Sequence, residues 1–214
     1  MTIHVVVVDD QKLFRAGIRM ILGTQPDIVL VGEASSGLDA VHLVRDLVDV
    51  DVVLMDISMP GLDGIDATAA VTALPDPPRV IMLTTFDDDD NIARAIAAGA
   101  SGFVLKDIRA EMLISAVRSV AEGTAVLARS ATLRLAAQHV PSRLPAPASF
   151  ATLTERERAV FTLAATGLNN AEIAQTAFLS EATVKSYVSR ILGKLGLRDR
   201  VQLVLFAIRH ELTD

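Results

Sequence analysis

The sequence predicts an α/β unit built on an open parallel sheet, followed by a linker and an all-helical unit. Three observations predict it. In residues 1–122, five short apolar runs alternate with five segments whose apolar residues recur at helical spacing. Five βα units in a row imply a parallel sheet covered by helices on both faces. From Leu153 onward the spacing is helical with no β-type run, and a chain of 214 residues is long enough for two small cores.

The elements follow in order. Ile3–Val8 is a dense apolar run that ends in acids, and Leu13, Gly17, Ile18, Ile21 and Leu22 then repeat at helical spacing. Ile28–Val31 is the second strand, and Leu38, Val41, Val44 and Leu47 mark the second helix. Val52–Met55, Val80–Leu83 and Phe103–Leu105 are the remaining strands, with helices over Ile65–Leu74, Asn91–Ala98 and around Met112, Leu113, Ala116, Val117 and Val120. Residues 123–149 break the pattern: Ala128–Gln138 allows a short helix, and Pro141–Pro147, with three prolines, reads as a linker. The divisions expected are therefore 1–122, 123–149 and 150–214. In the last part, helices are expected over Glu155–Ala165, Asn170–Thr176, Glu181–Leu195 and Asp199–Glu211. Thr154 with Glu157 forms a capping box, and Ser180 caps the third of these helices.

Composition narrows the class. Apolar residues make up 51% of the chain, yet no stretch approaches the 18 or so needed to span a bilayer. The opening apolar run has no basic flank and runs straight into Asp9-Asp10, unlike a signal peptide. There is no cysteine, so neither disulfides nor thiolate chemistry is available. A soluble cytoplasmic protein is expected. The net charge of −6 is unevenly spread: residues 1–125 carry 19 acidic and 9 basic side chains, whereas residues 150–214 carry 7 and 8. The weak basic tilt of the C-terminal third is compatible with nucleic acid.

The acids sit where strands end. Asp9 and Asp10 close the first strand, Asp56 the third, Thr84 the fourth and Lys106 the fifth. In a parallel sheet these ends share one edge, where ligands of such sheets bind. Three carboxylates in one crevice repel each other unless a cation joins them. An oxygen-only donor set favours Mg²⁺. A carboxylate can act as a nucleophile toward phosphorus, with a lysine ammonium and a hydroxyl to meet the phosphoryl oxygens. Taken singly, each has a plainer reading, as turn former, β-former or solvated charge. His4 and His42 lack ligand-spaced partners and read as structural, and Asp87–Asp90 reads as a solvated loop capping the fourth helix.

The segments Val8–Gln11, Leu54–Gly64, Leu83–Phe86 and Gly102–Asp107 closely resemble response-regulator receiver domains over residues 1 to about 122. The resemblance implies a flavodoxin-like fold with strand order 2-1-3-4-5, the order that receivers illustrate. It implies phosphorylation at Asp56. It also implies Mg²⁺ held by Asp10 and Asp56, by Asp9 through water and by the Ser58 carbonyl. Thr84 and Phe103 match a switch pair, and Lys106 a phosphate-pairing lysine. One departure is Asp107, where many receivers carry proline after the lysine.

A short helix, a tight turn and a longer helix are the helix-turn-helix layout. Here the turn, Ala177–Ser180, holds no glycine. The longer helix has an apolar stripe and a polar, cationic face, which fits DNA or simply a solvated amphipathic helix. Leu153–Glu157, Asn170–Ala174, Ser180–Lys185 and Lys194–Arg200 resemble the LuxR-type helix-turn-helix over about residues 150–213. The resemblance implies Lys185, Ser186 and Ser189 in the major groove and Thr183, Arg190 and Lys194 nearer the backbone. Tyr187 and Arg190 stand where many relatives carry His and Asn.

A receiver joined to this module resembles the NarL/FixJ-type response regulators. The implied function is a two-component regulator, not an enzyme. Phosphorylation of Asp56 by a sensor histidine kinase would control binding to promoter DNA, with a homodimer on phosphorylation or on DNA and no membrane partner. Two rivals remain. One is a regulator whose receiver is an interaction module that is never phosphorylated. The other is an aspartyl-phosphate phosphatase of the haloacid-dehalogenase type, which would need an Asp-x-Asp pair where this chain has Asp9-Asp10-Gln11.

Overall fold

The computed structural model describes residues 2–85, 89–123 and 145–212, leaving out the side chains of Asp89 and Asp90. The expected helix over Ala128–Gln138, residues 141–144 of the expected linker, and Asp87 and Asp88 lie outside the described residues. The chain divides into two compact units, Met1–Val126 and Leu127–Asp214.

The first unit runs β1 (Ile3–Val8), α1 (Lys12–Leu22), β2 (Ile28–Ala34), α2 (Gly37–Asp46), β3 (Val52–Asp56), α3 (Gly64–Thr72), β4 (Arg79–Thr84), α4 (Asp89–Ala97), β5 (Gly102–Leu105) and α5 (Ala110–Ala121). All pairings are parallel, in the order β2-β1-β3-β4-β5. β1 and β3 read as continuous apolar runs because alternate side chains meet helices on opposite faces. Val6, Val8, Val53, Met55, Val80 and Met82 pack with α2, α3 and Ala95 of α4. Val5, Val7, Leu54, Ile81 and Leu83 pack with Ile18 and Leu22 of α1 and Leu113 and Val117 of α5. Each such fully buried side chain contributes roughly 1.5–3 kcal/mol, which makes this central sheet the main source of the unit's stability.

Two elements differ from the sequence reading. β2 continues to Ala34 past Gly32 and Glu33, with a register shift opposite Val5/Val6. Backbone pairing to β1 holds those residues extended where side-chain pattern gives no β signal. Asp89 and Asp90 belong to α4 rather than to a loop before it.

The second unit holds α6 (Ala148–Ala151), α7 (Glu155–Ala165), α8 (Asn170–Ala177), α9 (Glu181–Leu195) and α10 (Arg200–Arg209). The one-turn α6 precedes the four expected helices. It begins directly after Pro147 and packs Phe150 against Phe161 and Phe206, with ring centroids 5.1 and 6.3 Å away. The capping box of Thr154 and Glu157 forms as expected. Asn169 with Glu172 forms a second one, and Ser180 accepts from the Thr183 amide. In the glycine-free turn, Phe178 adopts φ +55° and is almost wholly exposed. A left-handed non-glycine residue costs about 1–2 kcal/mol, which the tight turn between α8 and α9 imposes.

Candidate functional site

The carboxyl edge of the sheet gathers the acids. β1 ends at Val8, and Asp9 follows as a wholly buried residue, its amide bonded to Ala34 O on β2 and its carboxylate Oδ1 to the Gln11 amide at 2.8 Å. Asp56 ends β3 and is likewise buried, while Asp10 is exposed. Carboxylate oxygens of all three lie within 4.8 Å of one another. Lys106, one residue past β5, brings its ammonium 2.7 Å from Asp9 Oδ2 and 3.0 Å from Asp56 Oδ1. It also lies 4.9 Å from the Phe14 ring centroid on α1. The peptide bond before Asp107 is trans, as are all those described.

Burial pushes the Asp56 carboxyl upward, and the neighbouring Asp9 adds to this against the pull of Lys106. For Lys106, burial works downward, but its bonds to Asp9 and Asp56 outweigh it and the net direction is up. The ammonium is therefore firmly charged. One ammonium against three carboxylates leaves an excess of two negative charges. Asp9 Oδ2 is met by the Lys106 ammonium, whereas Asp56 Oδ2 is buried without a hydrogen-bond partner. A buried carboxylate oxygen left in this way is costly and calls for a cation. Oxygen donors only, converging from two strand ends, fit a hard divalent ion.

Gly64, the first residue of α3, is required by this geometry. A Cβ there would stand 1.8 Å from Asp56 O. Its amide bonds Ile57 O at 3.0 Å, so α3 starts in direct backbone contact with the end of β3. Ser58 is exposed two residues beyond Asp56. Thr84 ends β4 opposite Leu105, and its carbonyl accepts from the Lys106 amide at 2.7 Å. Phe103 pairs with Met82 and packs, half-buried, on the face formed with α2, α3 and α4. Strand alternation puts Thr84 on that same face as Met82.

In the second unit, α9 buries Val184, Val188, Ile191 and Leu192 in a core shared with α7, α8 and α10. Its other face exposes Lys185, Ser186, Ser189 and Arg190. Thr183 is half-buried, with its hydroxyl 2.7 Å from that of Ser180. Lys194 differs from its fellows. Its ammonium lies 2.7 Å from Glu157 Oε2 and 3.2 Å from Thr152 O, tying the end of α9 to the start of α7. That bond holds the Glu157 carboxyl down at about 2.

Sequence reading did not find three of these features. Gly64 gave only a motif position, since the crowding comes from a strand eight residues earlier. The sequence marks Glu157 as a capping residue but does not mark it as the partner of Lys194, 37 residues away. Arg200, buried among Asn170 Oδ1 at 3.0 Å and the Leu168 carbonyl, joins the starts of α10 and α8, and burial pushes it down to about 10. An arginine directly after an aspartate N-cap was the available signal.

An α/β unit with an acid-and-lysine cleft joined to a helix-turn-helix defines the class of the two-domain response regulators. Comparison with known proteins places the chain within it. Residues 5–118 match the response regulator receiver domain, and residues 151–207 match the bacterial regulatory proteins of the luxR family. The chain is 40% identical to the transcriptional regulatory protein YxjL of Bacillus subtilis, covering 97% of this chain and 96% of that one. It is 37% identical to the response regulator VraR of Staphylococcus aureus over 99% of each. Among solved structures, the response regulator ChrA of a heme-sensing two-component system matches with 36% identity and a TM-score of 0.52, over 99% of this chain and 98% of that one. The chain belongs to the response-regulator family, with a receiver domain followed by a LuxR-type DNA-binding domain. None of the helices described is long and apolar enough to cross a membrane.

Proposed function

We propose that this regulator is switched by Mg²⁺-dependent phosphorylation of Asp56. The observation that carries this is the buried Asp56 carboxylate held 3.0 Å from Lys106 beside Asp9 and Asp10. A carboxylate oxygen of Asp56 attacks the phosphorus of a phosphohistidine or acyl phosphate. The bond from phosphorus to the donor breaks, and the donor leaves with its electron pair. Lys106 pairs with the incoming phosphoryl oxygens, and the Thr84 hydroxyl donates to one of them. Asp10 and Asp56, with Asp9 through water and the Ser58 carbonyl, would hold the metal, which would there supply positive charge to offset that of the transferring group. A sensor histidine kinase is the donor. Movement of Thr84 toward the phosphoryl group draws Phe103 inward and alters the surface around α4 and β5.

The output is sequence-specific DNA binding. Lys185, Ser186 and Ser189 enter the major groove, and Thr183 and Arg190 meet the backbone. Lys194, bound to Glu157, positions α9 more than it contacts DNA. Two copies reading paired half-sites double the contact surface, with α10 as the dimer contact. On α10, Val201, Leu203, Val204 and Ala207 are buried, and Leu205 and Ile208 are half-buried apolar side chains left for such a contact. The unphosphorylated receiver hinders α9 or α10, and phosphorylation frees them.

The test compares the full chain with a fragment starting near Ser149, each with and without acetyl phosphate, by sedimentation and DNA binding. The fragment binds in both conditions, and the full chain dimerises and binds only after treatment. Equal binding by the full chain in both states overturns the switch. The receiver is then an interaction module only.

A further inference from the structure

Beside the start of the acidic cleft lies a largely buried cation that does not bond the phosphoacceptor. β1 ends at Val8, so the carbonyl of Asp9 lies beyond the strand ladder, and among the described residues no backbone amide reaches it. Arg15, one turn into α1, donates to that carbonyl through Nη1 at 2.5 Å. Its Nε donates to Glu33 Oε2 on β2 at 3.3 Å. The other Glu33 oxygen accepts from Arg19 Nε at 2.6 Å. The Arg15 side chain is 15% exposed and that of Glu33 21%. Taking a guanidinium this far out of water is costly unless its donors are used. Two of them are used here on groups of different kind, a carbonyl and a carboxylate, from two different strand ends.

We propose that Arg15 is a positioning residue of the metal site. Its planar fork clamps the Asp9 carbonyl to Glu33 and so fixes the turn that turns the carboxylates of Asp9 and Asp10 into the cleft. The inference rests on the Mg²⁺ reading above and extends it to a residue that touches none of the reacting atoms. The clamp is geometric and not merely a source of charge. Guanidinium offers donors in a fixed planar fork, whereas a lysine ammonium is a compact charge on a flexible stem that does not hold two acceptors in that fixed geometry. Charge and geometry predict opposite outcomes. Coulomb's law alone says that removing a cation near three carboxylates strengthens binding of a second cation. Loss of a group that orients metal-binding carboxylates weakens it, typically by about 10–100-fold.

The test measures Mg²⁺ affinity of the full-length, unphosphorylated chain. It uses the rise of melting temperature with Mg²⁺ concentration, cross-checked by Mn²⁺ titration with electron paramagnetic resonance. The Arg15→Met variant is expected to bind Mg²⁺ about 10–100-fold more weakly. Arg15→Lys should fall between it and the wild type. Saturating Mg²⁺ should restore most of the labelling rate by acetyl phosphate in both. Unchanged or tighter binding in Arg15→Met overturns the proposal, and so does wild-type affinity in Arg15→Lys. Should Arg15→Met fail to fold, Arg15→Lys decides alone, because it keeps the charge and loses only the fork. Asp10→Ala run alongside separates the two layers. If Asp10→Ala binds Mg²⁺ like the wild type, the metal site itself is misassigned. If it loses binding while the Arg15 variants keep it, only the clamp fails.

Discussion

Replacing Gly64 by alanine puts a methyl group where the backbone of β3 already stands. The added Cβ would lie 1.8 Å from Asp56 O and 2.8 Å from Asp56 C, against ordinary contact from 3.4 Å. Backbone cannot rotate away as a side chain can, so the start of α3 and the end of β3 must part by about 1.5 Å, roughly the overlap to be relieved. Overpacking of this kind costs about 1–3 kcal/mol. The moving atoms belong to Asp56 itself. Displacing a reacting group by about 1 Å can cost about 100-fold in rate. Gly61 is the matched control. Its φ is +84° but nothing lies within 4 Å of an added Cβ. Alanine there incurs the left-handed backbone penalty of about 1–2 kcal/mol and leaves the cleft untouched. Thermal melts and the initial rate of labelling by acetyl phosphate, measured on both variants, separate the two effects. Both variants should lose stability, and only Gly64→Ala should lose rate, by about two orders of magnitude. A Gly64→Ala protein labelled at the wild-type rate would refute the argument that this contact sets the position of Asp56.

Two further outcomes follow from α9 and its tie to α7. Lys185→Ala should lower the slope of log affinity against log salt by about one unit, the loss of one phosphate contact, whereas Lys194→Ala should change that slope less and lower the melting temperature more. Equal slopes for the two variants would put Lys194 on the DNA. The Glu157 carboxyl is held at about 2, below its ordinary 4.5, chiefly by Lys194. A depressed carboxyl stabilises the fold above its unfolded value and loses that contribution as pH falls through its folded value. Melts of the wild type should therefore weaken between about pH 4.5 and pH 2 more steeply than those of Glu157→Gln. Parallel pH curves would remove the ion pair as a source of stability.

The strands and helices were legible because this fold writes them in apolar spacing. The runs Val5–Val8 and Val52–Met55 are apolar with no polar alternation, which is what burial on both faces requires. The acids and Lys106 were legible because parallel topology sends every strand end to one edge. What escaped was set by partners distant in sequence. β2 runs on through Gly32 and Glu33 because β1 pairs with it, and no local propensity marks that. Lys194 carries the same charge and lies on the same helix as Lys185, and only the place of Glu157 sets them apart. Arg15 lies off the apolar spacing of α1, and nothing local marks the carbonyl of Asp9 as its partner. Short polar contacts between elements, unlike apolar periodicity, leave no repeating trace along the chain.

Phosphorylation of Asp56 is tested most directly by the intact mass of the full chain after incubation with acetyl phosphate and Mg²⁺. Asp56 is the cleft carboxylate that ends the central strand, buried and 3.0 Å from Lys106. The wild type should gain a single phosphoryl group. No gain is expected when Mg²⁺ is withheld by chelation, and none by Asp56→Asn. Labelling of Asp56→Asn to the wild-type extent would place the acceptor elsewhere. Full labelling under chelation would contradict the role given to the three carboxylates.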